Sequence, residues 1–118
     1  MTGLFVCDDL IFTSRVTATA RAKGLTVTPV RSAAEAVRRA GESPPACVIV
    51  DLHTAGNDLP ELLAGLRAAC PTMPRVVAYG SHVNKELLQA ARDAGCDIVL
   101  PRSKFANGLE TDLAGWFS

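Results

Sequence analysis

Five short apolar runs alternate with stretches of helical period from one end of the chain to the other, and this alternation limits the fold more than any other feature. The runs are Leu4 to Cys7, Leu25 to Val30, Cys47 to Val50, Val76 to Tyr79 and Ile98 to Leu100. Between and after them, apolar residues recur at helical spacing: Phe12, Val16, Ala20; Ala33, Val37, Ala40; Leu59, Leu62, Leu63, Leu66; Leu87, Leu88, Ala91; and Leu109, Leu113, Trp116, Phe117. Runs too short for helices bury well as strands, and the intervening amphipathic stretches are long enough to cross back over a sheet. Five strand-helix units in series predict an α/β fold with a parallel sheet.

The runs also predict their own order. Cys47-Val48-Ile49-Val50 is apolar on both faces, as a strand covered by helices on each side must be, so it belongs inside the sheet. Pro29 has no N–H to give a ladder and places the second strand at an edge. The fifth run is short and meets Pro101, which suits the opposite edge. The order 2-1-3-4-5 satisfies all three: a flavodoxin-like doubly wound sheet with helices on both faces, whose ligand crevice lies beyond the carboxyl ends of the first and third strands. Ser32 and Glu35 have the spacing of a capping box, and Gly24, Gly41 and Gly95 stand where helices are expected to stop.

At 118 residues the chain is expected to be one domain over residues 1–118. Its 48% apolar and 20% charged residues exclude a disordered tail. Twelve Lys and Arg balance twelve Asp and Glu, and the longest basic run is Arg38-Arg39, so a nucleic-acid groove is not expected. No apolar run approaches bilayer length and no signal segment opens the chain, which predicts a cytoplasmic protein off the membrane. The four cysteines, Cys7, Cys47, Cys70 and Cys96, form no C-x-x-C pair and read as buried reduced thiols.

In the expected topology the first and third strands are neighbours. Asp8 and Asp9 follow one and Asp51 the other, so three carboxylates are expected to converge on the crevice. Such crowding calls for a cation, and a hard divalent ion with oxygen ligands is the natural one. Mg2+ could then seat an aspartyl phosphate, with Arg102 or Lys104 after the fifth strand supplying a basic side chain opposite.

Val6-Cys7-Asp8-Asp9, Val48-Ile49-Val50-Asp51-Leu52 and Asp93-Ala94-Gly95-Cys96-Asp97 resemble the response-regulator receiver domain, in length, element order and motif placement over essentially the whole chain. The resemblance implies Mg2+ held by Asp8, Asp9, Asp51 and the backbone carbonyl of His53, and Asp51 as acceptor of a phosphoryl group from a histidine kinase or phosphotransfer protein. It further implies contact with a protein partner, or self-association, through the face formed by the fourth helix, fifth strand and fifth helix. Departures fall in the half of the pattern that transmits the signal. Counting back from Gly95 puts Gly80 where receivers carry Thr or Ser, with Ser81 able to substitute only by a shifted turn. The same count puts Arg102 where they carry Lys, leaving Lys104 as an alternative. Val99 occupies the position of the aromatic switch, Ala55 that of a proline, and Leu59 follows Asp58 where a glycine is usual.

Other chemistries fit less well. Asp51-x-His53-x-x-Gly56 is similar to a cobalamin-binding signature, but it follows the third strand instead of the first and lacks a downstream Gly-Gly pair. No catalytic serine elbow, zinc-protease motif or phosphate loop occurs, so an enzyme is not expected. His53 and His82 read as solvated loop side chains, and Trp116 and Phe117 as the end of the core stripe of the last helix. The expected function is a stand-alone receiver-like module of a phosphorelay, with Asp51 as phospho-acceptor. The alternative is a degenerate receiver acting as a phosphorylation-independent interaction module.

Overall fold

The computed structural model describes residues 1–118. Five parallel strands, β1 (Thr2–Val6), β2 (Thr26–Val30), β3 (Cys47–Asp51), β4 (Arg75–Gly80) and β5 (Ile98–Pro101), form one sheet in the order β2-β1-β3-β4-β5. Five long helices connect and follow them: α1 (Leu10–Ala22), α2 (Ala33–Glu42), α4 (Leu59–Ala69), α5 (Lys85–Ala94) and α6 (Arg102–Trp116). A short helical turn, α3 (Leu52–Ala55), and a 3-10 turn at Gly56–Asp58 lie between β3 and α4. The doubly wound order expected from the sequence is the order observed, and the expected fourth and fifth helices are α5 and α6.

Each strand sends alternate side chains to opposite faces, and the two faces are packed with different material. Leu4, Val6, Val48, Val50, Val76 and Ala78 meet α2, α4 and α5 through Ala36, Ala40, Leu62, Leu63, Leu66, Leu88 and Ala91, an aliphatic layer. Phe5, Cys7, Cys47, Ile49, Val77 and Tyr79 meet α1 and α6 through Phe12, Val16, Phe105, Leu109, Leu113 and Trp116. All six aromatic residues of the chain lie in this second layer. Every residue of β3 is buried, as its two-sided apolar sequence requires.

Helix ends follow local chemistry. Ser32 accepts the Glu35 N–H at 3.1 Å, and the Glu35 carboxylate reaches back to the Arg31 N–H at 2.9 Å, one residue before the usual capping-box partner. Gly95 closes α5 at φ +110°, and Gly24 follows α1 at φ +75°. Gly41 corrects the sequence expectation: it lies inside α2, which runs on to Glu42 and stops at extended Ser43, where Pro44 and Pro45 end the helical path.

Trp116 and Phe117 are buried as the stripe of the last helix predicts, and Phe117 also closes the end of β1. A Cβ on Gly3 would stand 2.6 Å from the Phe117 ring and 2.9 Å from the Cys47 carbonyl oxygen, so only glycine fits beneath that ring. Gly3→Ala is expected to lower unfolding stability by about 1–3 kcal/mol through overpacking. Urea unfolding followed by circular dichroism measures it; an unchanged midpoint would show that Phe117 moves aside freely.

Candidate functional site

The carboxyl ends of β1, β3, β4 and β5 bring the sequence-predicted residues to one rim, but they are divided into two separate constellations there. The first is built on Asp51, the last residue of β3 and the start of α3. Its Oδ1 accepts the His53 backbone N–H at 2.9 Å, capping that turn. Its Oδ2 accepts the Tyr79 hydroxyl at 3.1 Å and faces the Cys7 thiol at 3.6 Å. Asp51 is 6% exposed, the one buried polar or charged residue of the chain.

Asp51, Tyr79 and Cys7 meet from three neighbouring strands because the register demands it. Asp51 is paired with Tyr79 across the β3-β4 ladder, and residues in register point to the same face. Cys7 continues β1, its N–H bonded to the Val30 carbonyl at 3.0 Å, and so reaches the same face from the other side. Burial, reinforced by the neighbouring Asp51 and Cys7, pushes the Tyr79 hydroxyl well above its ordinary range and keeps it a donor. Burial likewise raises the Cys7 thiol. It pushes Cys47 up to about 12 and Cys96 up to about 11, and all four cysteines are free and buried.

The second constellation is the acidic pair and its counter-charge. Asp9 is the N-cap of α1, where Oδ1 accepts the Ile11 and Phe12 N–H groups at 2.9 and 3.1 Å. Its Oδ2 pairs with Arg102 at 3.3 Å, while the Arg102 guanidinium lies 4.9 Å over the Phe12 ring. The Phe12 N–H above all, with the Ile11 N–H and Arg102 adding to it, holds the Asp9 carboxyl below its ordinary value. Asp8 is exposed and turns to Thr54, which it accepts at 3.1 Å.

The three carboxylates therefore do not converge as the sequence predicted. Asp51 is turned into the aromatic layer, Asp9 caps a helix and Asp8 bonds Thr54, and no three His, Cys, Asp or Glu side chains are grouped to hold a metal ion. Each Asp51 oxygen accepts a protein donor, and a Mg2+ site shared by these carboxylates would require Asp51 to turn outward toward Asp8 and Asp9. Sequence counting treats carboxylates at neighbouring strand ends as one cluster, and it has no information on which way each turns.

Of the two basic candidates, Arg102 pairs with Asp9, whereas Lys104 stands exposed on the first turn of α6. Ser81 just follows β4, accepts the Val83 N–H at 3.4 Å, and lines an open cleft of about 490 Å³ with Phe12, His53, His82, Arg102, Ser103 and Ala106. Asp51 is not among the residues lining this cleft. A Cβ on Gly80 would meet Leu52 and Leu88 in the aliphatic layer, so position 80 faces away from Asp51. Residues 79 and 81 are the ones on its side of the sheet. Val99 also packs against the aliphatic layer. Tyr79 is the site residue that the sequence reading missed, taken there only as the end of an apolar run. Its in-register position beside Asp51 was the available signal.

A family model described as CoA binding domain matches residues 11–107. No curated protein matches the chain. Among solved structures, a response regulator from Thermotoga maritima superposes with TM-score 0.80 at 19% identity, covering 98% of this chain and 96% of that one. The receiver domain of NtrX from Brucella abortus gives 0.78 at 20% identity, covering 98% and 97%. The receiver domain of Saccharomyces cerevisiae Ssk1, in co-crystal with the histidine phosphotransfer signaling protein Ypd1, gives 0.80 at 16% identity, covering 98% and 88%. These likenesses show a receiver-like fold. The chain spans 26% of the longer NtrX chain, where the matched fold is one part of a larger protein.

The depressed Asp9 carboxyl ties stability to acid pH with a definite sign. A group whose pKa is lower when folded stabilises above its unfolded value, near 3.8, and ceases to do so as pH falls through the folded value. Asp9→Asn keeps a capping oxygen and removes the charge. Its melting temperature is expected to lie below that of the wild type at pH 7, with the gap closing under pH 3.8. A gap independent of pH would mean that the charge on Asp9 contributes nothing.

Proposed function

The chain belongs to the family of CoA binding domains, and from that membership, its receiver-like fold and the state of Asp51 we propose a signalling module that works by protein contact without a phosphoryl switch. The observation that carries this reading is the buried Asp51 carboxyl, with its two oxygens accepting from His53 and Tyr79. An acceptor must present an oxygen to the phosphorus of its donor, and here the carboxyl is buried and held facing the protein interior by those two bonds.

The family's ligand does not fit the end of α1. In doubly wound folds a pyrophosphate sits on free N–H groups at that helix start, after a glycine-rich turn. In this chain the turn is Cys7-Asp8-Asp9, and Asp9 takes the Ile11 and Phe12 N–H groups for itself. A dianionic linkage there would meet two carboxylates. The family match begins beyond this turn.

Partner contact is assigned to the face of α5, β5 and α6. The strand β5 is a sheet edge, each of its residues is partly exposed, and only β4 pairs with it. A histidine phosphotransfer protein or kinase, or a second copy of the chain, is the class of partner that the fold supports. No helix is long and apolar enough to cross a membrane.

A second reading keeps Asp51 as phospho-acceptor in a phosphorelay, with Mg2+ on Asp8, Asp9, Asp51 and the His53 carbonyl. It is favoured by the placement of Asp8, Asp9 and Asp51 at the ends of adjacent strands. Incubation with acetyl phosphate and Mg2+, followed by intact-protein mass spectrometry, separates the two. The expected result is no added phosphoryl mass on the wild type. One phosphoryl group that disappears in Asp51→Asn would establish the second reading. Calorimetric titration with CoA is expected to give no saturable heat, and saturable binding would return the family's ligand to this chain.

A further inference from the structure

We propose that the Tyr79 hydroxyl is a latch that holds Asp51 turned into the aromatic layer and so decides whether this carboxyl can react with a phosphoryl donor. The inference rests on the reading above, that wild-type Asp51 takes no phosphoryl group, and supplies its cause.

Three observations carry it. The Tyr79 hydroxyl is the shortest side-chain contact to Asp51 Oδ2, at 3.1 Å against 3.6 Å for the Cys7 thiol. Its ring is immobilised: stacked on Phe105 with centroids 4.3 Å apart, met edge-on by Phe12 at 5.3 Å, and tilted against Phe5 at 6.2 Å. The hydroxyl is therefore delivered to one place, and a buried hydroxyl that swung away would have to find another partner among apolar rings. Finally, Asp51 is buried and does not line the cleft that holds His53, Ser81 and Arg102, so a donor seated in that cleft reaches the carboxyl only when it turns outward.

The chemistry that the latch restrains is simple to balance. A carboxylate oxygen of Asp51 attacks the phosphorus of an acyl phosphate. The new O–P bond forms as the bond from phosphorus to the acyl oxygen breaks, and the electron pair leaves with the carboxylate product. A hydrogen bond to the attacking oxygen lowers its nucleophilicity and holds it facing inward, away from the donor. Tyr79→Phe removes that bond, keeps the ring in its stack, and leaves Asp51 with the His53 N–H and the Cys7 thiol as donors. Tyr79 is thus a positioning residue.

The test is a time course with acetyl phosphate and Mg2+ on wild type, Tyr79→Phe and the Tyr79→Phe/Asp51→Asn double variant, read by intact-protein mass. Tyr79→Phe is expected to gain one phosphoryl group within a time course over which the wild type gains none, a rate difference of at least about tenfold, the scale of one charge-assisted hydrogen bond. The double variant is expected to gain none. Equal rates in wild type and Tyr79→Phe, or no phosphoryl gain in either, overturn the latch. A Tyr79→Phe protein that no longer melts cooperatively overturns it too, because a latch is dispensable for folding and a structural strut is not. Phosphoryl gain by the wild type on Asp51 overturns the phosphorylation-independent reading instead, and the ratio of the two rates then judges the latch separately.

Discussion

A carboxyl group buried at the end of a central strand must find its hydrogen bonds inside the protein, and the arrangement of this rim follows from how Asp51 finds them. One oxygen closes the turn α3, which starts the chain on its path to α4. The other gathers a hydroxyl from β4 and a thiol from the end of β1, so three neighbouring strands are tied together just where a parallel sheet opens toward solvent. An unsatisfied buried acceptor is costly, and no buried side-chain nitrogen or oxygen in the chain is left without a partner. The same economy governs the acidic pair, where Asp9 satisfies the first turn of α1 and Arg102 balances it.

The architecture was legible because it depends on period and on strand-breaking residues. Two-sided apolarity put β3 in the sheet interior, Pro29 put β2 at an edge, and the strand order observed is the one those residues imply. Gly41 misled because glycine signals a helix end only when the chain turns left-handed there, and in α2 the prolines beyond Ser43 do the stopping. The site was legible in position but not in orientation. Strand ends placed Asp8, Asp9 and Asp51 correctly at one rim, yet a side chain's direction is set by which donors its neighbours offer. The decisive donor, Tyr79, is recognisable only once the β3-β4 register is known.

Family membership and architecture address different parts of the molecule. The family match covers α1 through most of the first half of α6, the body of the alternating units, and omits β1 and the turn where a doubly wound fold meets its ligand. The receiver-like shape extends over 98% of the chain, and that turn carries an acidic pair in place of glycines. The body of such a fold is constrained by packing and the turns by chemistry, so the two can diverge independently.

The segregation of all six aromatic rings beneath α1 and α6 has a consequence for how this protein can be watched. Trp116 fluorescence and near-ultraviolet dichroism arise wholly from one side of the sheet, and the layer under α2, α4 and α5 is optically silent. Far-ultraviolet dichroism and amide exchange see both. Comparing the two kinds of signal thus resolves the halves of the core without a single label being added, and would expose any state in which one layer loosens while the other stays packed.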